Sequence, residues 1–546
     1  MKVAEAVGRT LAQLGVGHVF GVTGSGNFHF TNALIAGGVP FTAARHEMGA
    51  ACMADAFSRS TGQVSAVSVH QGCGLTNALT GIGEAAKSRT PMLILAGDTP
   101  PTQKTSNFWI DQAAAVAALG AKVERIHSAD TAVLDAVRAY SLARDGRYTV
   151  LLNMALDIQQ EEIDWSPESV PAITRPLAPG PSPAAIAELA NLLSTAQRPV
   201  MVAGRGAFAA REEIEALAAH TGALLTTSAV GRGIFAGNPW YLDVMGGFST
   251  PATAELIQGA DVVVAFGASL NRWTTRSGSL LRNATVVQVD LSPEAIGFHR
   301  AVGLGVIGDS ALVAAAVAAS LQERGQAREG YRSSAVRDQI ARGSQWVDLE
   351  FEAIESASTI DPRTLTVALN RILPMERVVV PDGGNFNGYP AMYLQVSDAS
   401  SYCLPLAFQS IGLALSSAIG AAIAAPDRMA VAGIGDGGFM MSVAELDTAV
   451  RLQLPLVVIV YNDNAYGAEV HHFVHEGAPL DTVEFPDTDI AAIARGFGCT
   501  AVTVRGEEDL AGVGAWLAGP RTAPLVIDAK ISSFPSWVLA HTFDDE

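Results

Sequence analysis

The chain has 546 residues, which is too long for one hydrophobic core and predicts about three domains of ordinary size. Its 35 basic and 54 acidic residues give a net charge of −19, which argues against nucleic acid and anionic membranes as partners. The four cysteines lie far apart without paired spacing, and this favours reduced thiols and a cytoplasmic location over disulfides or a zinc site.

The first domain is predicted to span residues 1–165. Apolar runs typical of buried strands alternate there with alanine-rich helical stretches, and the runs cover 18–22, 64–69, 92–96 and 148–152. No apolar run follows Met1, so we expect no signal peptide. The prolines crowded between Pro167 and Pro183 cannot lie inside a helix or strand, and they predict a linker.

The same alternation continues in a central domain, predicted at 184–325, and in a third domain, predicted at 360–546. A charged stretch, 322–359, separates these two domains, and Asp361-Pro362 resembles the cap of a helix that opens the third. The apolar runs cover 199–203, 260–266, 284–289, 377–380, 429–434, 454–461, 499–504 and 524–528. Strands that alternate with helices predict an α/β fold of three doubly wound parallel-sheet domains.

The longest uncharged stretch, 399–426, is long enough to span a bilayer. It nevertheless contains Gln409, two prolines and several serines and glycines. We therefore interpret it as a buried helix of a globular core and expect no membrane partner.

Two aspartates mark the third domain. Asp436 lies in a Gly-Asp-Gly-Gly turn after the run 429–434, and Asp463 follows the run 454–461, with a helix predicted over 442–452 between them. If the two strands are parallel neighbours, both carboxylates lie at the same edge of a sheet. Carboxylate oxygens beside a glycine turn and a helix start suit a Mg²⁺ ion that holds a diphosphate.

A second motif lies in the first domain. Glu47, in the sequence Arg-His-Glu, is predicted at the start of a helix of small residues, and Gly72 to Asn77 reads Gly-Cys-Gly-Leu-Thr-Asn. Together with the Gly-Asp-Gly turn and its spacing to Asp463, these motifs resemble the thiamine diphosphate-dependent enzymes of the acetolactate synthase and benzoylformate decarboxylase group. The resemblance covers the whole chain, in the order pyrimidine-binding, central and diphosphate-binding domain.

The resemblance implies a role for each motif. Glu47 would hydrogen-bond a ring nitrogen of the aminopyrimidine. For proton exchange between this carboxyl group and the ring, we expect the carboxyl to be buried, with a raised pKa. The thiazolium would then act as the electron sink for loss of CO₂ from a 2-keto acid. In such families the pyrimidine and the diphosphate are held by different subunits, so a homodimer or homotetramer with shared sites is implied.

The resemblance also assigns the cofactor and metal contacts. Asp436 and the backbone carbonyl of Ala465 match metal ligands, and Asp463 stands where most relatives have asparagine, which keeps a hard oxygen there but adds a negative charge. Ile411 matches the apolar residue that props the cofactor into its bent form. The remaining cofactor-binding candidates are Gly383, Gly384, Asn385, Gly435, Gly437, Gly438, Asn77 and Tyr466.

The residues of the substrate pocket leave the reaction open. His70 and Ser25 match an active-site histidine and a substrate-binding serine of benzoylformate decarboxylase, and His29 belongs to a loop that borders the thiazolium in relatives. Synthases usually carry a small hydroxyl residue at the place of His70. However, the second histidine of that decarboxylase is replaced by Thr274. His70 is therefore either a proton relay or a structural histidine.

Three functions remain open from the sequence. The first is decarboxylation of a 2-keto acid with transfer of the acyl unit to a carbonyl acceptor, as in acetolactate synthase; the second is simple decarboxylation. The third is a cofactor-binding protein without catalytic activity. Beyond these three, a nicotinamide dehydrogenase is a more distant possibility among enzymes. FAD in the central domain is possible but less expected, since Gly204-Arg205-Gly206 lacks the third glycine of a dinucleotide fingerprint.

Overall fold

The computed structural model describes residues 1–325 and 328–541, which form three sheets flanked by helices. Every pairing between its named strands is parallel. The predicted fold class of three doubly wound α/β domains is therefore confirmed. The domain boundaries at 165, 184, 325 and 360 stay predictions.

The first sheet has six strands in the order β2-β1-β3-β4-β6-β5. The strands are β1 Val19–Gly21, β2 Phe41–Ala43, β3 Ser65–Val69, β4 Met92–Asp98, β5 Lys122–Arg125 and β6 Thr149–Ala155. The helices around it are α1 Val3–Leu14, α2 Phe28–Ala36, α3 Glu47–Thr61, α4 Cys73–Lys87, α5 Gln112–Ala117, α6 Ala132–Gly146 and α7 Leu156–Gln160. β3 and β6 are buried along their whole length, as strands covered by helices on both faces should be.

The central sheet also has six strands, in the order β12-β11-β10-β7-β8-β9. The strands are β7 Pro199–Ala203, β8 Leu224–Thr227, β9 Tyr241–Val244, β10 Val262–Phe266, β11 Thr285–Asp290 and β12 Leu304–Ile307. The helices of this region are α8 Pro183–Thr195, α9 Arg211–Thr221, α10 Pro251–Gln258, α11 Arg272–Thr275, α12 Ser310–Glu323 and α13 Ser334–Gly343. The last of these lies in the stretch that the sequence suggests is a break, and its Ile340 is buried in the central core.

The third sheet has five strands in the order β13-β14-β15-β17-β16. The strands are β13 Arg377–Pro381, β14 Met429–Gly435, β15 Val457–Asn462, β16 Thr500–Val504 and β17 Leu525–Lys530. The helices are α14 Pro362–Ile372, α15 Gly388–Tyr393, α16 Ala414–Ala424, α17 Asp436–Ser442, α18 Glu445–Arg451, α19 Gly467–Phe473, α20 Ile490–Gly496, α21 Ala511–Ala518 and α22 Trp537–His541. Asp361 caps α14 by accepting the amide N–H of Arg363, as predicted.

The connection between β14 and β15 differs from the prediction of one helix over 442–452. It contains two short helices, and the first of them, α17, begins at Asp436 itself. Propensity alone hides this helix, because Gly437 and Gly438 are poor helix formers in its first turn. The predicted parallel pairing of the two strands is confirmed, with Gly435 opposite Tyr461.

The uncharged stretch 399–426 contains the buried helix that was predicted. α16 packs against α3 of the first domain, and the backbone of Met53 leaves no room for a side chain at Gly420. Apolar residues of both domains consequently belong to one core. Among the described residues, no helix combines the length and apolar character needed to cross a membrane.

Candidate functional site

The first group of predicted site residues lies at one edge of the first sheet. Ser25, Glu47 and His70 follow the carboxyl ends of β1, β2 and β3, which are adjacent parallel strands. That edge is where parallel α/β sheets bind ligands. The topology therefore brings together three polar side chains that are far apart in the sequence.

Glu47 is the first residue of α3, and its carboxylate is held from a second helix. Asn77 of α4 donates a hydrogen bond from its side-chain amide to Oε2 of Glu47 across 3.0 Å. A β-carbon at Gly74 would lie 3.4 Å from Oε1, so the glycine leaves open the space beside the carboxylate that a side chain would occupy. Glu47 is only half-buried within its own chain, in contrast to the burial expected from the resemblance, because this edge of the sheet is open.

His70 is oriented by two hydrogen-bonding partners and a ring. Its Nδ1 lies 3.0 Å from the carbonyl oxygen of Gln71, which can only accept, so the neutral imidazole carries its proton there. Nε2 then accepts from the hydroxyl of Ser25 across 3.3 Å. The ring of Phe108 stands 4.9 Å from the His70 ring. A histidine and a serine held in this way can pass a proton to or from a ligand at this edge.

His29 takes a different position from the other three candidates. It lies exposed in the first turn of α2, with its ring against Phe28, and forms no hydrogen bond to Ser25, Glu47 or His70 among the described residues. Phe108 and Trp109 are also exposed, by 45% and 44%, so they present apolar surface beside His70. The role suggested for His29 stays a prediction.

The second group of predicted site residues lies at the corresponding edge of the third sheet. Asp436 follows β14, Asp463 follows β15, and Asp382 follows the neighbouring strand β13. The sequence motifs did not identify Asp382. Its place directly after a predicted strand and before Gly383 is a signal from which it could have been predicted. Three carboxylates thus lie at the carboxyl ends of three adjacent strands.

Asp436 and Asp463 are partly buried, and neither carboxylate forms an ion pair with a lysine or arginine among the described residues. Burial and the nearby charge of Asp463 raise the pKa of Asp436 to about 7, and burial raises the pKa of Asp463 to about 6. Lys530 weakly opposes the shift at Asp436, but its ammonium is already bound by Asp487 at 2.6 Å and Asp528 at 3.3 Å. Two carboxylates held in this way are suited to a divalent cation, which would favour their charged forms.

The loop after Asp463 has a defined shape. Asn464 has a left-handed backbone with φ 58°, and the next two residues are fixed by the segment 483–485, through bonds such as that from the Tyr466 N–H to the Val483 carbonyl at 2.8 Å. The carbonyl oxygen of Ala465 accepts no hydrogen bond from the described residues. It is therefore free to serve as a third oxygen ligand beside the two carboxylates.

Glycines make the turn at this edge possible. A β-carbon at Gly437 would collide with the ring of Tyr466, and one at Gly438 would lie 2.5 Å from Oδ2 of Asp382. A β-carbon at Gly435 would lie 2.9 Å from the ring of Phe386. The chain therefore passes close to the sheet edge only because these positions have no side chains.

Asp382 fixes the segment that carries Ile411. Its buried carboxylate accepts the amide N–H groups of Gly412 at 2.6 Å, Leu413 at 2.9 Å and Ala414 at 3.2 Å, and burial raises its pKa to about 6. A β-carbon at Gly383 would lie 3.3 Å from Cγ2 of Ile411. The predicted cofactor-binding residues 383–385, called the diphosphate turn below, thus contact the apolar residue predicted to prop the cofactor.

The other two residues of the diphosphate turn differ from each other. Gly384 has φ 120°, a conformation that favours glycine, and the side chain of Asn385 makes two hydrogen bonds within the protein. It donates to the carbonyl of Phe534 at 2.8 Å and accepts from the N–H of Ser536 at 2.8 Å. The amide side chain of Asn385 thus binds the segment 534–536, and its role toward the cofactor stays a prediction.

The two groups are separate within one chain. Among residues 1–325 and 328–541, no hydrogen bond or ion pair joins Ser25, Glu47 or His70 to Asp436 or Asp463. The same residues contain no cluster of three or more His, Cys, Asp or Glu side chains suited to a metal. A cation at the second group would therefore use two carboxylates and a carbonyl rather than three side chains.

The glycine pair of the central domain has a structural explanation. The N–H of Gly204 donates to the carbonyl of Phe266 at 2.8 Å, and the N–H of Gly206 donates to the carbonyl of Gly267 at 3.2 Å. The backbone of Gly267 occupies the space of a side chain at either glycine. These glycines let two loops pack, and their amides are not available to a phosphate group.

Comparison with protein families gives three consecutive matches. Residues 1–118 match "Thiamine pyrophosphate enzyme, N-terminal TPP binding domain", residues 186–317 match the central domain of the same enzymes, and residues 382–529 match their C-terminal TPP binding domain. The two TPP binding domains contain the two groups of site residues described above.

Curated proteins are similar over nearly the whole chain. A sulfoacetaldehyde acetyltransferase of Castellaniella defragrans is 28% identical over 542 residues, 93% of this chain and 89% of its own. An acetolactate synthase large subunit of Parasynechococcus marenigrum is 28% identical over 97% of this chain and 87% of its own. A probable 2-ketoarginine decarboxylase of Pseudomonas aeruginosa is also 28% identical, over 93% and 90%. Transferases and a decarboxylase are thus similar to the chain to the same degree.

Proposed function

Because the chain belongs to the thiamine pyrophosphate enzyme family, we propose that it decarboxylates a 2-keto acid and transfers the acyl unit to a carbonyl acceptor. The observation that carries this proposal is the pairing of an oriented glutamate, Glu47, with a separate, partly buried pair of carboxylates, Asp436 and Asp463. Several relatives are named sulfoacetaldehyde acetyltransferase or acetolactate synthase, and this number of transferase names supports transfer over simple decarboxylation.

Thiamine diphosphate, when bound, supplies an electron sink for breaking a bond next to a carbonyl carbon. Glu47 would hydrogen-bond a ring nitrogen of its aminopyrimidine. Asn77 keeps one oxygen of that carboxylate occupied at 3.0 Å and so leaves the other oxygen for the cofactor. This division of the two oxygens orients the carboxylate before any ligand arrives, which lowers the cost of reorganisation in the reaction.

The residues at the third sheet fit a Mg²⁺ diphosphate. Asp436, Asp463 and the carbonyl of Ala465 would hold the metal, and the raised pKa values of both carboxylates follow from burial that a cation would offset. The backbone of Gly383 and Gly384 would meet the diphosphate, with Ile411 against the body of the cofactor. The donor set consists of hard oxygens, which suits Mg²⁺ better than zinc.

A second function, simple decarboxylation, is supported by His70. With its proton on Nδ1 and its Nε2 bonded to Ser25 at 3.3 Å, this side chain can relay a proton to a product. His70→Ala therefore separates the two functions. If protonation by His70 ends the reaction, the variant loses aldehyde formation from a 2-keto acid and keeps transfer to an added acceptor.

A homodimer or larger homo-oligomer would complete the site. Exposed apolar side chains surround both groups: Phe28 (52%), Phe108 (45%) and Trp109 (44%) near the first, and Met440 (45%), Met441 (53%) and Phe473 (43%) near the second. Exposed apolar surface of this kind is typical of an interface. A second copy would cover it and bring the diphosphate group of one chain to the Glu47 group of the other.

The function is tested with purified, cofactor-free protein. Calorimetry with thiamine diphosphate and Mg²⁺ should give saturable binding, and pyruvate as a probe 2-keto acid should release CO₂. Products formed with pyruvate alone are then compared with those formed after adding an aldehyde acceptor. Absence of thiamine diphosphate binding in the presence of Mg²⁺ would reject the proposed function.

A further inference from the structure

Glu445 connects the two catalytic domains at a buried point. It is the first residue of α18, and its side chain is 1% exposed. Its Oε1 accepts the backbone N–H of Arg45 at 3.1 Å and of His46 at 2.9 Å. The carboxylate of the third domain thus binds the two peptide groups that come directly before Glu47.

The surroundings of this carboxylate leave it little freedom. The hydroxyl of Thr448 donates to Oε2 at 2.7 Å, and a β-carbon at Gly49 would lie 2.5 Å from Oε1. Burial raises the pKa of Glu445, and the hydrogen bonds from Thr448, His46 and Arg45 oppose that shift. A buried carboxylate with several short donors is a strong anchor, because removing it would leave buried N–H groups without partners.

A second, exposed contact joins the same two segments. Arg45 forms a two-pronged ion pair with Asp447, with distances of 2.6 and 2.8 Å, and its side chain is 53% exposed. Exposed ion pairs contribute little to stability. The position of the Arg45 and His46 backbone is therefore expected to depend more on Glu445 than on this ion pair.

We infer that Glu445 is a positioning residue, which sets the orientation of the Glu47 carboxylate toward the cofactor by fixing the peptide groups of Arg45 and His46. This inference rests on the proposed function. Glu47 begins α3 directly after these peptides, so their rotation moves the Glu47 side chain. Misplacing a catalytic group by about 1 Å can cost about 10²-fold in rate.

The test separates positioning from folding. Glu445→Gln keeps the volume but removes the negative charge, so the hydrogen bonds from the N–H groups of Arg45 and His46 lose their charged acceptor and become weaker. We expect the variant to bind thiamine diphosphate with a dissociation constant within about threefold of wild type. Exchange of the C2 proton of the bound cofactor with deuterium, followed by acid quench and NMR, should slow by about 10- to 100-fold.

Two milder variants test the same role if Glu445→Gln fails to fold. Gly49→Ala pushes against the intact carboxylate, and Thr448→Val removes one donor to it, so both should slow C2 exchange to a smaller degree. Asp447→Asn is the matched control, because it disturbs the same segment through the exposed pair and should leave exchange within about twofold of wild type. In cofactor-free protein, the amide hydrogens of Arg45 and His46 should exchange faster in Glu445→Gln.

The outcomes are distinguishable. Wild-type C2 exchange in Glu445→Gln, Gly49→Ala and Thr448→Val would overturn the positioning role while leaving the proposed function intact. An equal loss of exchange in Asp447→Asn would also overturn it, because any loosening of the junction would then suffice. If wild-type protein binds no thiamine diphosphate, the proposed function fails, and the inference fails with it.

Discussion

Asn77 and Glu47 lie on neighbouring helices, and the amide of Asn77 donates to Oε2 of Glu47 across 3.0 Å. Because an amide NH₂ can only donate, Oε2 is the acceptor in this contact, and the contact fixes the rotation of the carboxylate.

Glu47→Gln should lower turnover by at least about 10²-fold and leave thiamine diphosphate binding within a small factor, because the amide cannot hold and release a proton at the pyrimidine. Steady-state kinetics and calorimetry measure the two effects. The matched control is Glu5→Gln, which alters another glutamate in the first turn of a helix and should be fully active. Full turnover in Glu47→Gln would contradict the assigned role.

Asp436→Ala should weaken retention of thiamine diphosphate by at least about tenfold, or about 1.4 kcal/mol, because the metal bridge to the diphosphate is lost. Asp463→Asn should have a smaller effect, since an amide oxygen still binds a hard cation. Removing Mg²⁺ with a chelator should reproduce the Asp436→Ala result in wild type. Asp427→Ala, an exposed aspartate just before β14, serves as the control. Equal cofactor affinity in Asp436→Ala and wild type would refute the metal site.

Two inactive variants should restore activity when they share one oligomer. If each site combines Glu47 of one chain with Asp436 of another, a mixed dimer of Glu47→Gln and Asp436→Ala contains one intact site. Random reassociation then predicts about one quarter of wild-type activity, because about half of the dimers are mixed and each has one of two sites. Size-exclusion chromatography verifies the mixing. If both groups of a site come from the same chain, the mixture stays inactive.

Asp382 should make the stability of the cofactor-free protein depend on pH. Burial raises its pKa from the ordinary value of 3.8 to about 6, so the folded protein holds a proton there that the unfolded chain has lost. Its contribution to stability is therefore complete below about pH 4 and is lost as the pH rises through about 6. Thermal unfolding of wild type and Asp382→Asn between pH 4 and 7 measures the effect. Two parallel pH curves would show that Asp382 does not titrate in this range.

Much of the fold could be predicted from local patterns. The apolar run 199–203 coincides with β7, and most other predicted strands differ from the observed ones by one to three residues at an end. Parallel strands buried on both faces consist of continuous apolar runs, so each run is visible without knowledge of its neighbours. Helix α17 was missed because its Gly437 and Gly438 are disfavoured by propensity, and the tertiary structure overrides that preference.

The candidate site could be predicted only where a motif records it. Glu47, Asp436 and Asp463 were found because the spacing of their motifs is specific, whereas Asp382 and Glu445 were not. Each of these two is a single acidic residue whose partners are backbone N–H groups distant in the sequence. Backbone partners leave no pattern in the side chains, and such contacts become visible only in the folded protein.

The sequence by itself determined the α/β class, the three sheets and the family motifs, because hydrophobic periodicity and turn glycines act over short distances. Only the tertiary structure decided that Asn77 orients Glu47, that Ser25 meets His70, and that Glu445 holds the peptides before Glu47. These contacts join residues whose distance depends on strand order and helix packing. Strand order and helix packing follow from the burial of the whole core rather than from any local segment.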